Sequence, residues 1–448
     1  AALAILAVCV LALLVNSILL GREQHRTAAA LKLAESRSRQ ARKAVDSMYT
    51  RVAEKWLVDQ PGLRPVQREF LQEALAFYQE FSRQQGEDPE VLIEAAVALR
   101  RVGDIQDVLN MHEQTERIYL QVIDLLNDLA DRHFDNPSRR KELATVQSKL
   151  AQHYLAYGRT AEAVHHFTQA LEIYQALAIQ HPDRIEYQGD QAGCLVGLGE
   201  TCRDKDEAER LYLRARQIYE SLTMRPEARA QSTDGLRAVY HNLGNLQIAA
   251  GRGSEAEHSW RRADELSARI LAESPTSLAV KHGHASDLYG LAGALASQGK
   301  WREAEKVLHE AIRVQEPLAA DIPERTEFRE DLANSLRVLG EVLHNLGQLT
   351  EEEVVIRRSI GISRELIKAT PKLAFRRVII AAALMALAAL ERDKGHFDIS
   401  KGLLAEASSH IRIGLEIAPL DPYLTELNGQ IQSLAKGKDS PKTGVLRP

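Results

Sequence analysis

Two histidine groups and two glycine-rich runs are the places where residue types and spacing in this chain could support chemistry. The groups His165-His166 and His282-Gly283-His284 carry imidazoles, which bind Zn²⁺ and related metals. No Cys, Asp or Glu stands at ligand spacing to complete a metal-binding set around either group. We therefore expect solvated histidines at these positions and no metal site.

The glycine-rich runs depart from the loops that bind phosphate. Gly293 to Lys300 has five residues between its glycines, and Trp301 follows the lysine. The phosphate loop requires four residues between its glycines and a Ser or Thr after the lysine. The run 197–199 lacks a third glycine, and the chain has neither a His-Arg-Asp loop nor an Asp-Phe-Gly motif. We expect no catalytic residues and no cofactor within this chain.

Composition narrows the function classes further. The 448 residues are 45% hydrophobic but only 5% aromatic, which indicates a large core packed by Ala and Leu between helices. A net charge of −5, with no basic stripe interleaved with aromatics, argues against nucleic-acid binding. Three cysteines make no disulfide framework. Cys194 and Cys202 lie about 12 Å apart along one predicted helix, which is too far for a bridge.

A repeated pattern of small residues determines the predicted architecture. An Ala is followed four residues later by a bulky side chain, as in Ala256 and Trp260, and three residues further on by another Ala. Earlier in each unit a small residue recurs every 48 residues, with one interval of 45: Gly103, Ala151, Gly199, Gly244, Ala292, Gly340 and Ala388. Self-similarity at such a period predicts a solenoid, in which each unit buries its apolar face against its neighbours.

Each period is predicted to contain two helices. The first helix ends near a glycine turn, where the left-handed conformation costs glycine nothing: Gly158, Gly251, Gly299, Gly347 and Gly395. The second helix stops at a proline, which cannot continue it: Pro137, Pro182, Pro226, Pro275, Pro323, Pro371 and Pro419. We expect the small residues to let two helices approach closely and the bulky residue to fill the gap between them.

The run from His241 to Ala256 resembles the tetratricopeptide repeat, and the runs 154–163 and 291–304 resemble it nearly as well. That repeat usually has about 34 residues, so the 48-residue period implies that both helices are about two turns longer. The units at Thr115, Glu352 and Ser400 lack the second small Ala. Degraded terminal units are expected, because one face of a terminal repeat must meet water.

The N-terminal segment has a different character. Ala1 to Leu20 contains no charged residue, and a helix of that length spans about 30 Å, the hydrocarbon thickness of a bilayer. We predict a transmembrane helix there, followed by a basic helical linker that carries seven Lys/Arg and two Glu between Gly21 and Ala44. The chain also lacks an initiating Met, which suggests the tail of a longer protein.

A second resemblance concerns the region after the predicted span. It rests on Ala44–Met48, Arg51–Glu54, Arg68–Tyr78, Asp88–Pro89 and Arg100–Ile105. These runs are similar to the part that follows the membrane helix in large Ser/Thr protein kinases of planctomycete-type bacteria. The resemblance implies a kinase domain before residue 1, the single span, and then extended tetratricopeptide repeats. ATP and Mg²⁺ would bind only to that upstream domain.

The sequence predicts an all-α protein with an N-terminal transmembrane helix and an α-solenoid of about seven extended tetratricopeptide-like hairpins. The predicted segments are a span at 1–20, a basic juxtamembrane linker at 21–65, a capping helix at 66–88, the solenoid at 89–433 and a disordered tail at 434–448. The chain itself is not expected to be an enzyme.

The first helices of such a solenoid line its concave side. Residues predicted to face that groove are Arg100, Arg101, Asp104, Lys149, Gln152, His241, Asn242, Asn245, Tyr289, Arg337 and Glu341. Asn242 and Asn245 match the Asn pair with which some family members grip a peptide carboxylate. His241, Ser286 and Gly290 replace the basic residues of that clamp, so a carboxylate clamp is not expected.

Three functions stay open at this point. The repeats favour a membrane-tethered scaffold that binds a protein or peptide ligand, with the bilayer contacted through residues 1–20 and no nucleic-acid partner. The kinase resemblance favours the regulatory or sensory half of a membrane-bound signalling kinase. A structural assembly factor at the cell envelope is the third possibility. The sequence does not decide on which side of the membrane the repeats lie.

Overall fold

The computed structural model describes residues 89–109, 111–131, 136–323, 325–371, 373–419 and 422–435, together with seven single positions between 22 and 79. The chain divides into two units, Ala1–Gln60 and Pro61–Pro448, and every helix described below belongs to the second. The predicted span 1–20 lies outside the described residues. So do the linker 21–65, the capping helix 66–88 and the tail 434–448, apart from single positions and the end of the last helix.

Fifteen helices make up the described part of the chain. They are α1 (Pro89–Val108), α2 (His112–Asp131), α3 (Pro137–Ala156), α4 (Thr160–Gln180), α5 (Ile185–Thr201), α6 (Lys205–Thr223), α7 (Arg229–Ala249), α8 (Gly253–Glu273), α9 (Leu278–Ser297), α10 (Trp301–Asp321), α11 (Thr326–Leu346), α12 (Leu349–Ala369), α13 (Ala374–Asp393), α14 (Phe397–Ile417) and α15 (Pro422–Ala435). None of these helices combines the length and apolar character needed to cross a bilayer.

The helices form seven consecutive pairs, repeats 1 to 7, and α15 closes the series. Each helix packs against the next helix in sequence, and the first helix of each repeat also packs against the first helix of the following repeat. This arrangement is the predicted all-α solenoid of stacked helix pairs. We call α1, α3, α5, α7, α9, α11 and α13 the first-helix layer, and α2, α4, α6, α8, α10, α12 and α14 the second-helix layer.

Glycine turns join the two helices of five repeats, as the sequence predicts. Gly158, Gly251, Gly299, Gly347 and Gly395 have φ values between 71° and 81°. The amide of the next residue donates back across the turn, for example from Arg252 to the carbonyl of Gln247 at 2.8 Å. These hydrogen bonds give donors to carbonyl groups that would otherwise lack a partner at the end of the helix. Repeat 3, which carries the three-residue deletion, instead starts α6 with the Asp204 side chain accepting from the amide of Asp206 at 2.9 Å.

Proline follows most of the second helices within a few residues, but one predicted boundary is wrong. The helix α2 ends at Asp131, and Pro137 is the first residue of α3 rather than the stop of α2. Asn136 caps α3 by accepting from the amide of Arg139 at 2.8 Å. Proline is well suited to the first position of a helix because the amide it lacks would have no partner there.

The small residues and the bulky residues meet as predicted. A Cβ placed on Gly244 would lie 2.5 Å from the indole of Trp260, and one on Gly199 would lie 2.4 Å from Tyr212. Trp260 also presses on the next repeat, because a Cβ on Gly290 would lie 2.5 Å from the same indole. Trp260 therefore fills the space between the first helices of repeats 4 and 5. One apolar cluster extends from Ile93 to Leu343, and a second covers Ile356 to Leu434.

Candidate functional site

Hydrogen bonds between adjacent repeats connect the first-helix layer. Three of them join a histidine to an aspartate: His153 to Asp107 at 2.7 Å, His241 to Asp287 at 2.9 Å and His282 to Asp331 at 2.6 Å. Their partners lie 46, 46 and 49 residues apart along the chain. Equivalent faces of neighbouring first helices therefore meet at close to one repeat period.

Asp287 is the centre of the joint between repeats 4 and 5. Its side chain is 0% exposed and lies 2.9 Å from Nδ1 of His241 and 3.3 Å from Nη1 of Arg237. Burial lowers the pKa of the Arg237 guanidinium, but the charges of Asp287 and Asp234 outweigh burial and raise it. The His241 ring meets the Trp260 indole edge-on at 4.6 Å between centroids. A buried carboxylate with two partners therefore holds His241 at the edge of the layer.

A second set of hydrogen bonds between polar side chains joins repeats 5 and 6. Nη2 of Arg337 donates to the side-chain oxygen of Asn334 at 2.9 Å, and the amide nitrogen of Asn334 donates to the hydroxyl of Tyr289 at 2.9 Å. Because a guanidinium can only donate, the orientation of the Asn334 amide is determined. Burial raises the pKa of Tyr289. The phenol is therefore a neutral group that retains a proton to donate.

The predicted asparagine pair lies on α7, the helix that also carries His241. Asn242 is half-buried, and its amide nitrogen donates to Oε1 of Glu200 on the preceding first helix at 2.9 Å. Asn245 is also half-buried, and its side-chain amide has no hydrogen-bond partner among the described residues. The pair thus presents donors and acceptors that are not all used within the protein.

The predicted groove residues of repeat 1 are less available. Arg100 is buried rather than outward-facing, because its guanidinium binds Glu142 of repeat 2 at 2.5 Å and Asp104 of its own helix at 2.7 Å. Asp104 also accepts from the hydroxyl of Tyr119 at 2.9 Å, and Arg101 lies 3.7 Å from the same carboxylate. Of these contacts, the one between Arg100 and Glu142 joins repeats 1 and 2, and the others lie within repeat 1.

Three further predicted groove residues lie on α3 and α11. Lys149 and Gln152 are exposed on α3, and Glu341 is half-buried on α11. The other five predicted groove residues lie on successive first helices of repeats 4 to 6: His241, Asn242 and Asn245 on α7, Tyr289 on α9 and Arg337 on α11. We call these five residues the central polar surface.

The histidines singled out by the sequence are not all solvated. His284 is buried, and its Nδ1 lies 2.9 Å from the hydroxyl of Ser267, because α8 and α9 pack closely at that point. His165 is exposed, whereas His166 is half-buried beside Gln147. Burial, together with the neighbouring His165, lowers the pKa of His166 to about 4. His282 binds Asp331.

Sequence reasoning missed a different histidine cluster. Ligand atoms of Asp107, His112 and His153 all lie within 4.8 Å of one another. Their spacing in the sequence matches no local metal-binding motif, because the third residue comes from the next repeat. The 46-residue separation of Asp107 and His153, which His241 and Asp287 share, is the signal that could have found it.

Comparison with known proteins supports the architecture. A model of the tetratricopeptide repeat family matches residues 288–316, which lie in α9 and α10. The apo form of the quorum sensor NprR from B. thuringiensis superposes with a TM-score of 0.53 at 12% identity, over 83% of this chain and 86% of that one. This likeness shows the shared fold alone. The chain thus has the all-α fold of a tetratricopeptide-like solenoid of stacked helix pairs.

Other solved structures are similar over part of the chain. BtubC (BKLC) from P. vanneervenii has a TM-score of 0.44 and 18% identity, over 55% of this chain and 92% of that one. A tetratricopeptide repeat protein from Parabacteroides merdae has a TM-score of 0.37 and 14% identity, over 78% and 100% of the two chains. No curated protein matches the sequence.

Proposed function

We propose that this solenoid is a scaffold that binds a protein or peptide through the central polar surface. The observation that carries the proposal is the combination of partial exposure and rigid support in that surface. Asn242, Asn245 and His241 are half-buried on α7. Glu200 binds Asn242, Asp287 binds His241, and Asn334 connects Tyr289 with Arg337. Preorganised groups lose little conformational freedom when a ligand binds.

The chemistry of the surface suits an extended peptide backbone. Asparagine amides offer two donors and an acceptor, and can pair with a peptide group in the way that another peptide does. Tyr289 adds a neutral hydroxyl, and Arg337 adds a cation that could meet an acidic side chain of the ligand. The NprR structure is that of a quorum sensor, and its shared fold is compatible with recognition by a repeat solenoid.

We further propose that the scaffold is tethered to a membrane by a single pass through residues 1–20. The support is the absence of charge over 20 residues and the basic segment that follows. The similarity to the kinase linker supports a regulatory or sensory role for the repeats in a Ser/Thr protein kinase whose catalytic domain lies outside this chain. A non-kinase assembly or structural protein of the cell envelope is the alternative, and the sequence upstream of residue 1 distinguishes the two.

Peptide binding can be tested with the full chain in detergent micelles. Peptides are selected on the protein from a displayed random library, and their dissociation constants are measured by fluorescence anisotropy. Loss of a buried hydrogen bond costs about 1–3 kcal/mol, so we expect Asn242→Ala/Asn245→Ala to weaken the selected peptides at least about fivefold. Asn345→Ala is the matched control, because that amide donates within its own helix to the carbonyl of Glu341 at 2.8 Å. Equal binding by the double variant and the native chain would exclude the central polar surface.

A second test concerns the proposal that this chain is not itself an enzyme. Phosphotransfer requires a lysine on the nucleotide phosphates and side chains that hold Mg²⁺ in place. We therefore expect the purified chain to transfer no phosphate from labelled ATP to itself or to generic protein substrates. Transfer above that of a heat-denatured sample would contradict the proposal.

A further inference from the structure

Three metal-binding side chains converge where repeat 1 meets repeat 2. Asp107 lies in the last turn of α1, His112 is the first residue of α2, and His153 lies in the last turn of α3. One potential ligand atom from each residue lies within 4.8 Å of those from the other two. Two imidazoles and one carboxylate are therefore concentrated in a space of the size of a metal coordination sphere.

The fold places these residues without any contribution from a metal. The amide of Met111 donates to the carbonyl of Gln106 at 2.8 Å, which closes the turn between α1 and α2 and brings Asp107 towards His112. Packing of α3 against α1 brings His153 within 2.7 Å of Asp107. The positions of all three ligands therefore follow from the stacking of the repeats.

One residue of the three-residue cluster is buried, and another is exposed to solvent. The side chain of His153 is 4% exposed, whereas that of Asp107 is 45% exposed. The hydroxyl of Tyr157 lies 2.8 Å from Nε2 of His112, and the ring of Tyr157 lies 4.9 Å from that of His153. An ion could reach the cluster from the Asp107 side. Tyr157 would orient His112, as groups next to metal ligands commonly do.

The other cross-repeat histidines provide a contrast. His241 and His282 each bind an aspartate of the next repeat in the same manner. Among the described residues, however, only the Asp107 cluster has a third Asp, Glu, His or Cys within reach. His112 adds a third potential ligand to the hydrogen-bonded pair of Asp107 and His153. The pairs of His241 and His282 have no such third residue in the described part of the chain.

We propose that Asp107, His112 and His153 bind a divalent transition metal ion, with Zn²⁺ the best fit. Imidazole nitrogen suits Zn²⁺ and its neighbours in the first transition row, whereas Ca²⁺ and Mg²⁺ prefer oxygen ligands. Bonds of about 2.0–2.2 Å in a tetrahedron place ligand atoms roughly 3.3–3.6 Å apart. The ligand atoms of His153 and Asp107 are 2.7 Å apart, so binding moves these two slightly apart and replaces the hydrogen bond between them.

Three protein ligands leave one tetrahedral position for water or for a ligand from outside the chain. The bound ion connects the turn of repeat 1 to the first helix of repeat 2. Because this site lies on repeats 1 and 2, it does not depend on the central polar surface of repeats 4 to 6.

Calorimetric titration of the full chain with ZnCl₂ tests the proposal, after removal of any purification tag and after treatment with EDTA followed by dialysis. The native chain is expected to bind one Zn²⁺ saturably, and Zn²⁺ is expected to raise its Tm. Replacing a ligand should weaken binding by more than the roughly 10–100-fold lost when a supporting residue is replaced. We therefore expect at least a tenfold increase in Kd for His112→Ala and, separately, for Asp107→Ala.

His282→Ala is the matched control, because it removes one histidine of a cross-repeat pair that has no third ligand. It should bind Zn²⁺ like the native chain. Circular dichroism should show unchanged helix content in every variant, since Asp107 is exposed and His112 is half-buried at the edge of its turn. Absence of saturable binding by the native chain would overturn the proposal. So would an unchanged Kd in the His112→Ala and Asp107→Ala variants.

Discussion

The first-helix layer and the second-helix layer use charged groups in different ways. In the first-helix layer, cross-repeat partners include side chains that water hardly reaches: Asp287 is 0% exposed and His153 is 4% exposed. In the second-helix layer, pairs such as Arg358 with Glu316 are about half exposed on both sides, at 48% and 44%. The two layers therefore join the same repeats with interactions of different strength.

Ion pairs also link successive repeats along the second helices and the turns that precede them. Arg159 with Glu116 and Arg252 with Glu209 lie 43 residues apart along the chain, and the exposed pair of Arg358 with Glu316 lies 42 apart. Exposed ion pairs typically contribute about 0–1 kcal/mol each, whereas removing one partner from a buried pair leaves an uncompensated charge. Binding chemistry is therefore expected in the first-helix layer, where polar groups are already held in place.

The largest expected effect comes from the packing that both layers share. Replacing Gly244 with Leu would force a side chain into the space of Trp260, which is only 2% exposed and whose indole would lie 2.5 Å from a Cβ at position 244. Inserting carbons into a packed core costs about 1–3 kcal/mol, and we expect the upper end because the neighbour is a rigid indole. Chemical denaturation of the native and variant chains measures the loss.

Gly361→Ala is the control for that substitution. Gly361 also lies within a helix, on the exposed face of α12, with no atom within 4 Å of a Cβ placed there. Replacing a helical glycine with alanine should raise the free energy of unfolding by roughly 0.5–1 kcal/mol. Equal effects of Gly244→Leu and Gly361→Ala would show that the proposed contact between small and bulky residues is absent.

The next effect in size tests the buried polar groups of the first-helix layer. Asp287→Ala removes the carboxylate that binds Arg237 and His241, whose side chains are 20% and 27% exposed. Leaving a largely buried donor without its acceptor costs about 1–3 kcal/mol, and partial exposure of both donors favours about 2 kcal/mol. Thermal unfolding at neutral pH measures the change.

The Asp234→Ala variant is the control for Asp287→Ala. It removes an exposed carboxylate, rather than a buried one, from the same Arg237 side chain. Asp234 is 65% exposed and lies 3.1 Å from Nε of Arg237, so it is a partner of the same group in a wet environment. We expect a loss below about 0.5 kcal/mol for this variant. If both variants lost the same stability, burial would not be what distinguishes the first-helix layer.

The sequence predicted the elements better than it predicted their mutual contacts. The glycine turns and the meeting of Gly244 with Trp260 follow from spacing within one repeat, which local geometry determines. Contacts of Asp287 and His153 depend on how far one repeat rotates against the next, and a set of spacings does not contain that rotation. Arg100 shows the same limit: its type and position favoured an outward-facing role, but Glu142 of the next repeat binds it inside the joint.

The smallest expected effect concerns the exposed ion pairs of the second-helix layer. Nη1 of Arg358 lies 2.6 Å from Oε1 of Glu316, and both side chains must give up rotamer freedom to meet in water. A double-mutant cycle with Arg358→Ala and Glu316→Ala should give a coupling of about 0.2–1 kcal/mol, which should nearly vanish at 1 M salt, where the screening length falls to about 3 Å. The coupling between Asp287 and His241, measured in the same way, should persist at high salt because water and ions do not reach the Asp287 carboxylate. A coupling of Arg358 with Glu316 that matched it in size and in resistance to salt would remove the distinction between the two layers.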